Sequence, residues 1–344
     1  MSDLNIKTWV RTDNLYGKPL SIDELDYCNG IYLAHAEEHP NGSKPFQTIM
    51  IADENLQNWQ HRVTSPERTH SLKNVRITGH KDKFVCAATS IKEGIENLEV
   101  MTSSNGFDWL DVYTSNGTYN KASIVKSMAG GIVIACHGKL VYSSDLTEWK
   151  ESEFNGIYKD YDCIDLTYFD STFFVLLKND DKFAIGYTKD LQDYIYYDLE
   201  WGKSHPTSLE SSGTQMVITC SDQLAERVSF YYTKDGKKNE WSRYEIKTPY
   251  RTISNSLSEL FSSAFYNNQW VFVGRVREYN NSRSMLFSYK PILLRIEGEL
   301  TSKSVLIEDN IDSTDLTYVQ AINDKLICYG KSHPNGDNCL FVLE

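Results

Sequence analysis

The stretch Tyr142-Ser143-Ser144-Asp145-Leu146-Thr147-Glu148-Trp149 decides the fold, because it is one copy of a motif that returns along the chain. Residues 102–109, Thr-Ser-Ser-Asn-Gly-Phe-Asp-Trp, repeat it, and residues 187–194, Tyr-Thr-Lys-Asp-Leu-Gln-Asp-Tyr, repeat it with tyrosine as the final ring. In each copy an apolar run leads into a short polar turn. An aspartate or asparagine at the head of such a turn accepts backbone N–H bonds, and a glycine supplies a positive φ. The motif therefore predicts a tight turn between two strands, with the ring packed under the hairpin.

Two looser copies of the motif complete a regular series. They run from Asp53 to Trp59 and from Asp235 to Trp241, with two more residues between the acid and the ring. The ring positions 59, 109, 149, 194 and 241 are separated by 40 to 50 residues. A strand–turn–strand unit that returns about every 45 residues is typical of a β-propeller. Since no segment shows a helical period, we expect an all-β protein, a seven-bladed β-propeller, with a six-bladed propeller as the alternative.

Short apolar runs mark the expected second strand of each unit, because a strand covered on both faces is hydrophobic nearly throughout. These runs are residues 30–34, 84–87, 132–135, 173–177, 216–219, 270–273 and 326–329. A small turn of asparagine, aspartate or glycine precedes several of them, which predicts a hairpin between the first and second strands. The sixth unit is irregular, since it lacks the acidic turn and carries Pro291, a residue excluded from central strands. We expect residues 286–296 to form its third strand and turn.

The two ends of the chain have the sequence of one divided blade. His39-Pro40-Asn41-Gly42 returns as His333-Pro334-Asn335-Gly336, and His39 lies 20 residues before Trp59. Joining Glu344 to Met1 would restore this spacing between His333 and Trp9. We therefore expect the N-terminal strand, residues 4–12, to complete the last blade, residues 312–344, within a single domain of residues 1–344. A ring closed in this way has no open sheet edges.

The repeated turn resembles the Asp-box (BNR) repeat of the sialidase-like β-propeller superfamily, whose pattern is Ser/Thr-x-Asp-x-Gly-x-Thr-Trp. The copies here are shortened by one residue, and they look like the repeats of bacterial and phage-encoded propeller proteins. The resemblance implies that the turn residues stabilise the fold and lie away from any active site. These residues are Asp53, Trp59, Asn105, Trp109, Asp145, Trp149, Asp190, Tyr194, Asp235 and Trp241.

No catalytic signature accompanies the repeat. The sialidase Arg-Ile-Pro signature has no match, and its nearest counterpart, residues 9–12 (Trp-Val-Arg-Thr), lacks the Ile-Pro. The chain also has no Gly-x-Ser-x-Gly or His-Glu-x-x-His motif and no Gly-rich phosphate loop. We therefore expect a protein that is not an enzyme, with no catalytic residue, no metal and no cofactor.

A second recurrence points to a ligand. Five of the connections that lead into a first strand combine an aromatic ring with a cation, and these connections are expected around the mouth of the central channel. Rings stack on the apolar faces of sugars, and cations bind carboxylate or phosphate groups. The alternative is that each ring packs on the next strand and the cation is only solvated. The candidates are Tyr16, Lys18, Tyr119, Lys121, Tyr158, Lys159, Trp201, Lys203, Tyr250 and Arg251. His39 and His333 are further candidates on the same face, although Pro-Asn-Gly is first of all a tight turn.

Charge and targeting narrow the class of partner. With 35 basic and 47 acidic residues the formal charge is −12, which argues against nucleic acid and anionic membranes. The N-terminus lacks the basic and apolar segments of a signal peptide, and no apolar run approaches a membrane span, so we expect synthesis in the cytoplasm without membrane insertion. We expect a non-enzymatic binding or adhesion propeller, associated with a phage virion or tail and with other virion proteins, that recognises a cell-surface glycan or polymer. The alternatives are a sialidase-like glycoside hydrolase and a structural scaffold that docks other proteins.

Overall fold

The computed structural model describes residues 10–11, 20–38, 46–62, 72–92, 95–115, 122–128, 130–222, 227–248, 258–279, 287–297, 305–307, 315–331 and 340–343. These residues form 28 β-strands, β1 to β28, and one short 3-10 helix, Gly156–Asp160, with no α-helix among them. In this part of the chain no helix has the length and apolar character needed to cross a membrane. The chain divides into two compact units, residues 15–199 and residues 1–14 with 200–344.

The unit of residues 15–199 contains four antiparallel sheets of four strands, each a meander whose strands pair in chain order. Sheet 1 is β2 (Leu20–Cys28), β3 (Ile31–Glu38), β4 (Phe46–Asp53) and β5 (Gln60–Arg62), and sheet 2 is β6 (Leu72–His80), β7 (Lys83–Lys92), β8 (Ile95–Ser103) and β9 (Leu110–Thr114). Sheet 3 is β10 (Ile124–Met128), β11 (Gly131–Cys136), β12 (Lys139–Ser143) and β13 (Lys150–Glu153), and sheet 4 is β14 (Asp162–Phe169), β15 (Thr172–Asn179), β16 (Lys182–Thr188) and β17 (Ile195–Asp198).

The other unit contains three such meanders. Sheet 5 is β18 (Ser204–Ser211), β19 (Met216–Asp222), β20 (Arg227–Thr233) and β21 (Ser242–Lys247), and sheet 6 is β22 (Ser258–Tyr266), β23 (Gln269–Tyr279), β24 (Phe287–Glu297) and β25 (Val305–Ile307). A short pairing of β19 with β22 joins these two into one eight-stranded sheet. Sheet 7 is β26 (Asp315–Ile322), β27 (Lys325–Lys331), β28 (Leu340–Leu343) and, as its fourth strand, β1 (Val10–Arg11).

Among the described strands, the N-terminal strand also pairs out of chain order. Val10 pairs with Val342 and Arg11 with Phe341, so β1 lies antiparallel to the last strand of the chain. Of the expected strand of residues 4–12, only residues 10–11 belong to the described part. Within each unit the first strands of successive sheets contact one another, β2 with β6, β10 and β14 in order, and β18 with β22 and β26.

The hairpins between first and second strands follow from their turn residues. Asn29 and Gly30 both have positive φ, as do the pair Asn267 and Asn268, and such pairs match the twist of the flanking strands. The predicted apolar runs lie in the second strands that follow these turns, apart from Gly30, which is in the turn itself. In β11 the residues from Ile132 to Cys136 are buried on both faces. The cores therefore lie between sheets, as the near-continuous apolar runs indicate.

One expectation about the sixth unit is wrong. Pro291 does lie inside a third strand, β24, opposite Arg275 of β23. The described fourth strand β25 pairs with residues 294–296 of β24. Pro291 lacks the N–H that a central strand would donate, and it stands three residues before Leu294, where the described pairing with β25 lies.

Candidate ligand-binding site

The acidic residue at the head of each repeated turn bonds to its own turn. Asp145 Oδ1 accepts the N–H groups of Thr147 (2.8 Å) and Glu148 (2.9 Å), and these bonds hold the pKa of the Asp145 carboxyl well below its usual range. The same backbone bonds are made by the side chains of Asp53, Asn105, Asp190 and Asp235. All five head groups thus close the turn that contains them.

The rings that end these turns have packing partners. Trp149 lies 5.6 Å from the ring of Tyr113, measured between centroids, and Tyr194 meets Phe154 edge-on at 5.5 Å. Trp59 and Trp109 donate their indole N–H groups to carbonyls of their own turns, Leu56 (2.9 Å) and Gly106 (3.2 Å). These contacts bury only part of the tryptophans, which remain half-exposed.

Four of the predicted ligand-binding residues belong to the described part of the chain: Tyr158, Lys159, Trp201 and Lys203. The others lie outside it: Tyr16, Lys18, Tyr119, Lys121, Tyr250, Arg251, His39 and His333. The geometry of the site therefore rests on the connections into sheets 4 and 5.

The connection into sheet 4 carries Tyr158 on the 3-10 helix. Its ring stacks on Tyr196 with centroids 4.2 Å apart, and its hydroxyl donates to Asp198 Oδ1 at 3.1 Å. Tyr196 and Asp198 belong to β17, the fourth strand of the sheet. Burial, reinforced by Asp198, raises the pKa of Tyr158 to about 12, so the phenol stays protonated. Lys159 is exposed, but its neighbour Asp160 is exposed as well.

The connection into sheet 5 carries Trp201. Its ring lies parallel to Tyr231 with centroids 3.6 Å apart and meets Trp241, the ring of the repeated turn, edge-on at 5.8 Å. Trp201 and Trp241 are half-buried, Tyr231 is buried and Lys203 is exposed. The guanidinium of Arg243 lies 5.8 Å from the centre of the Tyr231 ring.

Arg243 is held by carboxylates. One Nη lies 3.7 Å from Asp222 Oδ2 and the other lies 3.2 Å from Glu245 Oε1. Asp222 is buried, with only 1% of its surface exposed, and Ser229 donates to it. We name Trp201, Tyr231, Trp241 and Arg243 the sheet-5 cluster. It combines aromatic faces with a guanidinium whose charge is already matched.

The described contacts of Tyr158 and Trp201 are made with outer strands of the sheets, and the expected position at the mouth of a channel stays a prediction. Tyr158 contacts a fourth strand, and Trp201 contacts Tyr231 of a third strand. Their partners lie about 30 to 40 residues further along the chain, so the connection alone does not indicate where the ring docks. Both rings pack on the sheet that follows, although on its outer strands and not at the start of its first strand, while Lys159 and Lys203 are exposed.

Polar side chains on the first strands, which sequence reasoning did not single out, join neighbouring sheets. Glu24 Oε2 accepts the N–H of Ile77 (2.5 Å), and Asp26 Oδ2 accepts the N–H of Gly79 (2.7 Å). A first strand has an unpaired edge, and these carboxylates satisfy its backbone donors. The signal in the sequence is the acidic run of residues 23–26 inside an otherwise apolar strand.

The same kind of bond recurs in the next sheets. Arg76 Nε donates to the carbonyl of Ser123 (2.7 Å), and Lys126 Nζ bonds to Asp165 Oδ1 (2.7 Å) and the carbonyl of Leu166 (2.8 Å). In the second unit Thr207 Oγ1 donates to the carbonyl of Leu260 at 2.6 Å. The first-strand charges of this part of the chain are thus engaged in bonds between sheets.

Two pairs of side chains have the composition of catalytic groups. Tyr113 donates to Glu151, but both lie on fourth strands, and burial raises the pKa of Tyr113, which disfavours a phenolate nucleophile. His80 Nδ1 lies 2.9 Å from Ser127 Oγ, while its Nε2 is buried and makes no hydrogen bond among the described residues. An unpaired buried N–H is costly, so the proton belongs on Nδ1 and His80 donates to Ser127. Neither pair is arranged as a nucleophile with its base.

Metal-ligating side chains do not cluster in the parts of the chain described above: no group of three or more His, Cys, Asp or Glu could hold an ion there. The cysteines described, at positions 28, 86, 136, 163, 220 and 328, are buried and reduced. They behave as small hydrophobic residues of the core.

Comparison with known proteins shows likeness in structure alone. No protein-family model and no curated protein matches the chain. A structure of YCF48 bound to D1 peptide matches with a TM-score of 0.66 and 9% identity, over 99% of this chain and 96% of that one. A catalytically inactive virginiamycin B lyase from Staphylococcus aureus with quinupristin matches with a TM-score of 0.60 and 9% identity, over 98% and 99%.

A third structure is the β-propeller domain of the trilobed protease from Pyrococcus furiosus, reported with an open velcro topology. It matches with a TM-score of 0.55 and 9% identity, over 95% of this chain and 96% of that one. At such identity the matches speak for the fold and not for the activity. The successive four-stranded meanders and these matches over nearly the whole chain show that the protein has a β-propeller fold.

Proposed function

We propose that this protein is a non-enzymatic binding β-propeller that recognises a cell-surface glycan or a similar surface polymer. The observation that carries the proposal is the sheet-5 cluster, where the half-exposed Trp201 and Trp241 meet edge to face beside exposed Lys203. Partly exposed tryptophans on a rigid sheet offer flat apolar faces of the kind on which sugar rings stack.

The proposal includes a finer architecture: seven blades with Asp-box-like turns, in a ring that the N-terminal strand closes by completing the last blade. Its support is that the described strands form seven four-stranded meanders, and that β1 pairs with β28. Groups held on strands keep fixed positions without the ordering cost of a flexible loop.

The setting we propose is a phage virion or tail, with other virion proteins as further partners. Its support is the resemblance of the shortened turns, such as residues 143–149, to those of phage-encoded propellers. The genes beside the coding sequence test this setting, since tail genes are expected there, and a neighbourhood of metabolic genes would contradict it.

An immobilised array of bacterial and host polysaccharides tests the binding function. We expect the wild-type protein to bind at least one glycan, and Trp201→Ala to weaken that binding by about tenfold, as loss of one stacking ring does. Trp149→Ala is the matched control, because Trp149 is an equally half-buried turn ring stacked on Tyr113. Product release from labelled polysaccharide in the same samples would indicate the hydrolase instead.

A protein-docking scaffold is the second candidate, and one observation favours it. Leu110, Ile157 and Ile195 expose 68%, 67% and 57% of their surface. Leu110 and Ile195 hold the same position, directly after the turn ring at the start of a fourth strand. If the protein is a scaffold, a blank glycan array and loss of a co-purifying virion protein in Leu110→Ser/Ile195→Ser are expected together.

A further inference from the structure

We propose that the sheet-5 cluster is a subsite for an uncharged pyranose ring of the polymer, and not for an acidic sugar. The inference rests on the proposed function, since it names the ligand class of the same site. It follows from the pairing of charges around Arg243 and from a comparison with the corresponding residues of sheet 4.

The charges around the cluster balance. Arg243 lies between Asp222 and Glu245, and Arg227 Nη1 lies 2.6 Å from Glu245 Oε2. Two guanidinium groups therefore face two carboxylates, and the network has no net charge. Asp222 is buried, and a buried carboxylate without its cation is strongly unfavourable, so Arg243 is committed to this partner.

Sheet 4 has residues at the equivalent positions, but their side chains are of different types. Tyr158, Tyr194 and Tyr196 correspond to Trp201, Trp241 and Arg243, because each set holds the connection, the turn ring and the residue two positions after that ring. Tyr196 pairs with Gly186, where a Cβ atom would come within 2.8 Å of the tyrosine ring. The glycine lets Tyr196 lie flat on the sheet, and it stacks with Tyr158 and Tyr194.

In sheet 5 the position of Gly186 is occupied by Tyr231, which pairs with Arg243. The ring of Tyr231 fills the space that Gly186 leaves open in sheet 4, and Trp201 stacks on this ring. A planar guanidinium, that of Arg243, then takes the place of the third ring and lies 5.8 Å from the centre of the Tyr231 ring. An aromatic face with adjacent neutralised donors and acceptors is suited to a sugar ring with hydroxyl groups.

An acidic sugar would meet two obstacles at this cluster. Its carboxylate would have to compete with Asp222 and Glu245 for Arg243. It would also approach a chain with a formal charge of −12. Lys203 is the exposed cation of the connection, but one solvated ammonium is largely screened at physiological salt. Stacking and hydroxyl recognition remain, and both act on neutral sugars.

A pair of polymers with the same backbone and different charge provides the sharpest test. Polygalacturonate and its fully methyl-esterified form serve as one probe pair, beside the neutral and acidic glycans of the array. We expect the neutral members to bind more tightly, with less than about a twofold change in Kd between about 0.05 M and about 0.5 M NaCl. Preference for the acidic members, with affinity lost in salt, would overturn the inference and leave the proposed function intact.

Charge variants separate stacking from ion pairing. Lys203→Glu is expected to change the Kd for a neutral glycan by less than about twofold, as is the matched control Lys189→Glu, an exposed lysine of the turn before β17. Trp201→Ala is expected to weaken binding by about tenfold and Trp201→Phe by less, and the phenylalanine variant decides the matter if the alanine variant does not fold. A large loss in Lys203→Glu alone would contradict the neutral subsite. Absence of binding to every glycan would overturn both the inference and the proposed function.

Discussion

The pKa values of Asp145 and Glu24 are shifted in opposite directions. Asp145 accepts backbone hydrogen bonds at the surface, whereas Glu24 is enclosed between strands. The N–H groups of Thr147 and Glu148 favour the ionised form of Asp145 and lower its pKa. Burial raises the pKa of Glu24 to about 8, although Arg76 at 3.4 Å opposes the shift. The free energy of unfolding therefore depends on pH at acidic pH through Asp145, and up to about pH 8 through Glu24.

Glu24→Gln tests this dependence. Because the folded-state pKa of Glu24 lies above its usual 4.5, its contribution to the free energy of unfolding is fully present below about 4.5 and is lost as the pH rises through about 8. Each pH unit in this window removes up to about 1.4 kcal/mol from wild type relative to Glu24→Gln. Urea unfolding at several pH values measures the difference, with the exposed Glu148→Gln as control. A gap between wild type and Glu24→Gln that stays constant with pH would show that Glu24 is ionised throughout.

Trp149→Ala tests the role of a turn ring. A fully buried aromatic costs about 3–5 kcal/mol on truncation, and we expect about 2 kcal/mol here because Trp149 is half-buried against Tyr113. Chemical denaturation gives the value, and Trp149→Phe should recover most of it. If the variant kept its full stability and lost glycan binding, the turn would be part of the binding surface.

The sequence predicts those single-residue features whose partners lie close along the chain. Asp145 bonds to groups two and three residues away, so its place at the head of a turn follows from the local pattern. Trp201 lies in the connection before β18 and stacks on Tyr231 of β20. Nothing in the Trp-Gly-Lys segment fixes that partner, because the contact is created only when the sheet forms.

The strands of each meander are joined by local hairpins, and the meanders are joined by side chains of their first strands. Six of these first strands contain a register shift against their second strand, for example between Ile22 and Glu24 in β2. A bulge turns the following side chain and leaves backbone groups unpaired. Beyond the bulge, side chains of the preceding sheet bond to the unpaired edge of the first strand, as Asp26 does to the N–H of Gly79.

Asp26→Ala tests this connection between sheets 1 and 2. The change leaves the N–H of Gly79 and the hydroxyl of the buried Thr78 without their acceptor. We expect a loss of about 2–3 kcal/mol in the free energy of unfolding, the cost of buried unsatisfied donors, and a smaller loss in Asp26→Asn, which retains one acceptor. Asp82→Ala changes an exposed acid next to the same strand and serves as control. Equal stability of Asp26→Ala and the control would mean that water replaces the carboxylate.

The sequence predicts the second strands, because their buried residues form apolar runs. It does not predict the bulges within the first strands. The apolar run Trp270 to Val273 indicates a second strand, and β23 contains it. The bulges have no such sequence pattern. The residues at three of the register shifts, Asp23, Thr207 and Phe261, are an acid, a hydroxyl residue and an aromatic. They follow from the geometry of neighbouring sheets, which no local pattern encodes.

At the scale of the whole molecule, the described strands repeat one meander, and β1 joins β28 from the other end of the chain. A repeated unit of this kind buries its core against its neighbours, so an incomplete unit at either end is the weak point. The repeat of His39-Pro40-Asn41-Gly42 at residues 333–336 predicts this pairing of the N-terminal strand with the last sheet.

Removal of residues 1–11 tests whether this pairing stabilises the protein. Without Val10 and Arg11, β28 loses the partners of Val342 and Phe341 and becomes an open edge that can pair with another chain. We expect a Tm lower by at least about 5 °C and self-association that grows with concentration, measured by differential scanning calorimetry and light scattering. Removal of residues 1–8 alone retains β1 and should be much milder. If both truncations melt with the wild type, β1 contributes nothing to stability, and the proposed closure of a ring by the N-terminal strand would have to be abandoned.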